Sequence, residues 1–250
     1  MSRYDQDDFY PPYISVAERR ARAAQAVKAL RKKNPAINPV VVSGRKLAET
    51  WWGEAWNRNL GRYADFANRI GRGRSSVRHG AVLDLSIQAG SVNALVQGSR
   101  AKPYQVVVDI DPMDDQSWES LTQACQGLIP SLPDLIDGRF PKALATLFQE
   151  QGGLFPTPAE IHLECSCPDW ASLCKHVSAV LYGVGTRLDE NPLLFFQLRQ
   201  VAVDDLISQA VQEKTETLLQ KARQKSERVL DTNTEDLNTL FGIDLKDEPD

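Results

Sequence analysis

Three short runs in the middle of this chain, residues 81–87, 92–97 and 104–110, are apolar stretches interrupted by single polar residues. Runs of this length between turn residues read as strands. Ala89-Gly90 and Gly98-Ser99 supply turns between the runs, so they predict an antiparallel meander. Upstream the pattern is helical. Residues 16–33 are rich in Ala, Arg and Lys and stop at Asn34-Pro35. Residues 39–43 read as extended, and 44–68 as helix broken at Gly61. Trp52, Trp56 and Leu60 fall one helical turn apart, which is the spacing of a core stripe. Residues 71–80 read as a basic, glycine-containing loop. Beyond the meander, 117–127 and 141–149 read as helices, 152–158 as a linker, and 203–230 as one long charged helix. That last helix carries a partial apolar stripe of Leu206, Ile207, Ala210, Val211, Leu218 and Ala222.

The chemistry concentrates in one short run, Cys165-Ser166-Cys167 followed by Cys174-Lys175-His176. Three thiolates and an imidazole make a full tetrahedral set for Zn²⁺ and leave no position for water or substrate. The spacing has a physical reading. On a strand over 161–167, Leu163, Cys165 and Cys167 share a face. Cys174 and His176 are also two apart, which a helix would send to opposite sides, so they belong at a turn entering a helix whose body begins at Val177. Lys175 offsets the net negative charge of a zinc ion with three thiolates. Trp170 is expected to cover the site. The unit is strand, loop and helix around one ion.

The motif resembles the SWIM zinc finger, a CxC and CxH module. Pro11-Pro12-Tyr13, Ala17-Glu18-Arg19-Arg20, Gly44-Arg45-Lys46, Trp52-Gly53-Glu54-Ala55-Trp56 and the run from Leu181 to Leu188 are similar to bacterial SWIM zinc-finger proteins. The resemblance spans roughly residues 9 to 200. It implies a finger that binds DNA or protein partners, in a family linked to SWI/SNF-type helicases.

Charge changes the picture further. The net charge is −4, but residues 1–80 hold 16 Lys and Arg against 7 Asp and Glu, while the rest hold 13 against 26. Such asymmetry points to a basic surface facing an anionic partner, of which nucleic acid is the commonest. Arg69, Arg72, Arg74 and Arg78, set around Gly71 and Gly73, are the candidate phosphate contacts, because arginine forks match phosphate oxygens. Arg19, Arg20, Arg22, Lys28, Arg31, Lys32 and Lys33 form a second basic set. Trp51, Trp52, Trp56 and Tyr63 invite a base-stacking reading, but the helical spacing favours core.

Asp109, Asp111, Asp114 and Asp115 read as turn chemistry more readily than as a Mg²⁺ site. Cys125 reads as a buried small hydrophobe, His162 as facing away from the thiolates and His79 as solvated. An apolar cluster from Leu237 to Leu245 in the acidic tail is a candidate docking peptide. No apolar stretch approaches a membrane span, the N-terminus lacks a signal-peptide core, and reduced cysteines suit the cytoplasm.

Together these give an α+β protein in three parts. Residues 1–150 form a mixed region of helices and antiparallel meander with a basic N-terminal part. Residues 151–200 form the zinc unit, and 201–250 a C-terminal helix with an acidic tail. The expected function is a zinc-binding, non-enzymatic adaptor that binds DNA and acts with a SWI/SNF-type helicase. No small-molecule substrate and no membrane partner are expected. The alternative is a protein-interaction module without nucleic-acid contact.

Overall fold

The computed structural model describes residues 14–62, 67–128, 141, 143–150 and 152–223. The chain falls into two units, residues 1–210 and 211–250. In the second, the structure describes 211–223, the last turns of the final helix, where Leu218 and Leu219 are exposed. Of the expected apolar stripe, Leu206 is buried, whereas Leu218 is exposed. Among the described residues, no helix is long and apolar enough to cross a membrane.

The first unit is α+β, as the patterns predict. Its elements are α1 (Val16–Lys33), α2 (Trp51–Asn59) running into a single 3₁₀ turn at Leu60–Arg62, α3 (Ala67–Arg78), β1 (Val82–Gln88), β2 (Ser91–Val96), β3 (Tyr104–Ile110), α4 (Asp115–Ala124), α5 (Leu144–Gln149), β4 (Ile161–Cys165), α6 (Lys175–Glu190) and α7 (Leu194–Arg199). α8 (Val203–Arg223) starts in this unit and ends in the next.

The four strands form one antiparallel sheet in the order β1-β2-β3-β4. Val92, Ala94 and Val96 of β2 and Tyr104, Val106, Val108 and Ile110 of β3 are the buried face, as alternation requires. The outer edge of β1 is covered by the extended segment around Pro39. Leu85 donates its N–H to the Asn38 carbonyl at 3.0 Å, and Val40 donates to the Val82 carbonyl at 3.1 Å. An edge occupied in this way cannot pair with another chain.

α6 lies against all four strands on one side and against α2 and α3 on another. Nearly every residue from His176 to Gly185 is buried. A helix that is apolar all round belongs in the middle of a protein. α2 closes over it with the predicted stripe. Trp52 and Trp56 are buried, and their indole N–H groups donate to the carbonyls of Leu188 (3.0 Å) and Leu181 (2.8 Å). Buried indoles need such partners. Of the other two members of the proposed stacking set, Trp51 is half-buried against Trp52 and Phe148, and Tyr63 lies outside the described residues.

Two expectations are corrected here. Residues 71–78 form most of α3, not a loop. Glycine normally argues against helix. At Gly73, however, a Cβ would sit 2.9 Å from the Ala179 amide nitrogen and overlap the Ser178 side chain. Glycine is there because two helix backbones meet. The segment 152–158, expected as a linker, inserts Leu154 and Phe155 into the core, where Phe155 packs on Trp56 and Phe195 at ring distances of 6.3 and 5.0 Å.

Candidate metal centre

β4 and α6 deliver the four ligands. β4 pairs with β3 through Cys165 opposite Val106, and the pairing is pinned just beyond its end. Ser166 donates its N–H to the Gln105 carbonyl, and its hydroxyl oxygen accepts the Gln105 N–H, both at 2.9 Å. The chain then turns through Cys167 and Pro168. Asp169 accepts the Ala171 N–H at 3.3 Å, which tightens the loop. Cys174 is the N-cap of α6, and its sulfur accepts the Val177 N–H at 3.5 Å. His176 stands in the first turn. The helix begins at Lys175, two residues earlier than its expected body.

The ligand atoms of Cys165, Cys167, Cys174 and His176 all lie within 4.8 Å of one another. His176 Nδ1 is 3.8 Å from the Cys174 sulfur and 4.0 Å from that of Cys165. Tetrahedral coordination by thiolates and an imidazole spaces ligand atoms about 3.6–3.8 Å apart. The residues therefore fit a metal ion with small adjustment. The protonation pattern agrees. Cys174 is held down to about 4, first because Cys165 donates its S–H to it and, against the effect of burial, with help from His176 and the Val177 amide. Cys165 is pushed up by that same donation and by burial. Three thiols this close share protons unless a cation takes their place.

His176 is buried, and the Tyr104 ring lies against it with centroids 4.5 Å apart. Its Nε2 has no hydrogen-bond partner among the described residues. A Cβ on Gly98 would come 2.9 Å from that nitrogen and overlap the Tyr104 ring. Tyr104 and Gly98 were not singled out from sequence as parts of this centre. The alternation that buries Tyr104 with Val106 and Val108 was the available signal. Trp170, expected to cover the site, does not. It is 80% exposed, with the Arg69 guanidinium 5.7 Å from its ring centroid. The loop turns it outward, and Tyr104 and Cys174 supply the dry side.

The four arginines singled out around Gly71 and Gly73 part company on α3. Arg69 forms an ion pair with Asp169 in the metal loop. Arg74 donates to the Tyr182 hydroxyl at 3.2 Å and lies 5.5 Å from that ring's centroid. Arg78 donates to the Arg45 carbonyl at 2.5 Å. Arg72 is exposed and lines a groove with Arg19, Arg22, Lys175 and His176. That grouping draws on α1, α3 and α6, and no sequence window contains it. His79, expected to be solvated, is half-buried in the same groove, and burial followed by nearby Arg20 and Arg19 lowers its basicity.

Elsewhere the carboxylates of the 109–115 region are used structurally. Asp109 accepts from the Ser91 hydroxyl at 2.7 Å, Asp111 meets exposed His162 at 3.0 Å, and Asp114 caps α4 by accepting the Ser117 N–H at 2.9 Å. Cys125 is buried, which pushes its thiol up to about 11. The apolar cluster from Leu237 to Leu245 lies outside the described residues.

No protein-family model and no solved structure matches the chain. The chain is similar to the uncharacterized protein Rv2102 of Mycobacterium tuberculosis, with 36% identity over 164 residues. The match covers 65% of this chain and 59% of the mycobacterial protein, so the chain spans less than two thirds of that relative's length.

Proposed function

We propose that this protein is a zinc-dependent, non-enzymatic adaptor that binds DNA through the basic face beside its metal centre. The observation that carries the reading is the closed ligand set. Three sulfurs and one ring nitrogen, all within 4.8 Å, fill a tetrahedral ion's coordination. Such an ion holds β4 to α6 and leaves no position open for catalysis. Zinc is the metal that prefers this mixture of soft thiolate and imidazole in tetrahedral array. The likeness to SWIM proteins adds an SWI/SNF-type helicase as the partner class.

Arg72, Arg19 and Lys175 would then meet phosphate. Contacts of this kind give affinity without sequence specificity and weaken steeply with salt. The test is fluorescence anisotropy of labelled duplex and single-stranded DNA, titrated with zinc-loaded protein across a salt series. Binding is expected to fall with salt, and Arg72→Ala is expected to flatten the log–log slope by about one. No binding at low salt removes DNA from the reading.

A second reading has its own observation. Arg69, Arg74 and Arg78 have partners within the chain, and Trp170, under the Arg69 guanidinium, keeps 80% of its surface exposed on the loop between the two ligand pairs. Exposed tryptophans on rigid loops are common anchors for protein partners. Salt-insensitive capture of a helicase-type ATPase, lost in Trp170→Ala with DNA binding absent, would favour a pure protein-interaction module.

A further inference from the structure

The groove beside the metal centre is a cavity of about 460 Å³. That size falls in the range of roughly 300–1,000 Å³ typical of small-ligand sites. Its cationic wall comes from three elements: Arg19 and Arg22 on α1, Arg72 on α3 and Lys175 at the start of α6. Among the described residues, no aspartate or glutamate lines it. Glu18 meets Arg22 at 2.7 Å from outside the lining, and Arg19, Arg72 and Lys175 form no ion pair among the described residues. Its other wall is apolar, with Ile14, Ala23 and Ala81. With Arg22 paired to Glu18, the remaining three cations, Arg19, Arg72 and Lys175, give the concavity a positive field that favours an anion there.

We propose that this groove binds a nucleotide, its phosphate held by Arg19, Arg72 and Lys175 and its flat base laid against Ile14, Ala23 and Ala81. Several cations from separate elements exceed what one carboxylate needs and suit a dianionic phosphate monoester. The apolar wall asks for a ligand with a flat hydrophobic part as well, which inorganic phosphate lacks. Half-buried His79, whose basicity burial and the nearby arginines lower, adds a neutral polar group to the wall. The same chemistry has two sources, a free mononucleotide or the phosphorylated end of a strand. The proposal shares Arg19, Arg72 and Lys175 with the DNA reading above, but a duplex interior does not enter a cavity of this size.

Calorimetric titration of the zinc-loaded full chain at fixed ionic strength tests it, with AMP, adenosine, inorganic phosphate, and a short single strand carrying either a 5′-phosphate or a 5′-hydroxyl. AMP is expected to bind at least about tenfold more tightly than adenosine or phosphate. Arg19→Glu and Arg72→Glu, both exposed positions, are each expected to weaken AMP by tenfold or more while the melting temperature stays unchanged. Tighter binding of the 5′-phosphorylated strand than of AMP assigns the site to strand ends, and the reverse assigns it to free nucleotide. Equal, weak heats for AMP and adenosine, or AMP binding that ignores both substitutions, overturns the proposal. Nucleotide binding without duplex binding would leave the groove standing and remove the DNA reading. Duplex binding without nucleotide binding would do the opposite.

Discussion

α1 and α3 are both basic helices, yet they use their arginines in opposite ways. On α3, Arg69, Arg74 and Arg78 are spent on Asp169, Tyr182 and the Arg45 carbonyl, and only Arg72 faces the groove. On α1, one pair joins Arg22 to Glu18, while Arg19 and Arg20 stay exposed and unpaired among the described residues. The difference follows from what each helix touches. α3 packs backbone to backbone on α6 at Gly73, which brings its arginines within reach of a protein surface. α1 buries only Ala23, half-buries Ala26, Val27 and Leu30, and leaves its basic residues to water. A count of basic residues therefore overstates the charge available to a partner wherever a helix is pressed into the core.

The largest effect that would break this contrast is disruption of the four-residue site proposed to hold zinc. Small thiolate–imidazole zinc sites are worth roughly 10–16 kcal/mol at neutral pH. Cys174→Ser, or a chelator, should release the loop carrying Asp169 and fray the start of α6. Arg69 then loses its partner and α3 comes to resemble α1. Hydrogen exchange checks this, with fast exchange expected over 161–180 and unchanged protection in β1 and β2. Persistent protection over 161–180 after metal removal would show that the ion is not what holds the loop.

A smaller effect isolates the packing itself. Gly73→Val forces a side chain into the α3–α6 contact and should cost about 1–3 kcal/mol, or more if the helices separate. Ala24→Val, at an exposed position of α1, should change stability by no more than about 0.5 kcal/mol. Equal melting temperatures for the two variants would mean that α3 is held as loosely as α1.

The smallest effect concerns the most deeply committed arginine. Arg199 is 3% exposed and meets Glu160 at 2.5 Å and the Asp111 carbonyl at 3.1 Å. Burial alone would raise the Glu160 carboxyl, but the Thr157 amide and hydroxyl and Arg199 outweigh it and leave it below its ordinary 4.5. A lowered folded-state value means stability that is present above about pH 4.5 and lost as pH falls through that lower value. Thermal melts between pH 6 and pH 3 should show this acid loss in the parent and a shallower one in Glu160→Gln. Parallel curves would show that the pair contributes nothing to acid stability.

Much of this was legible in the residues. Short apolar runs separated by Ala89-Gly90 and Gly98-Ser99 carried the meander because strand length and turn chemistry are local properties. The CxC and CxH spacings carried the four ligands because strand and helix geometry set which side chains converge. The Trp52, Trp56 and Leu60 stripe carried the α2 contact for the same reason. What stayed hidden depends on partners distant in the chain. Gly73 reads as a loop residue until Ser178 and Ala179 are placed against it. Trp170 reads as a cover until the Asp169 loop turns it outward. The groove needs Arg19, Arg72 and Lys175 together, and more than 100 positions separate the last two.

Cys174 both caps α6 and offers a sulfur to the metal. Helix start and ion capture are then one event at one atom. α6 is the hub on which the sheet, α2 and α3 all rest, so a newly made chain without an ion would leave the start of that hub frayed and the segment leading into it exposed. Exposed interior is what cellular proteases act on. The amount of this protein that survives synthesis would accordingly follow the supply of metal, so its steady-state abundance would report nutritional status without any dedicated sensor.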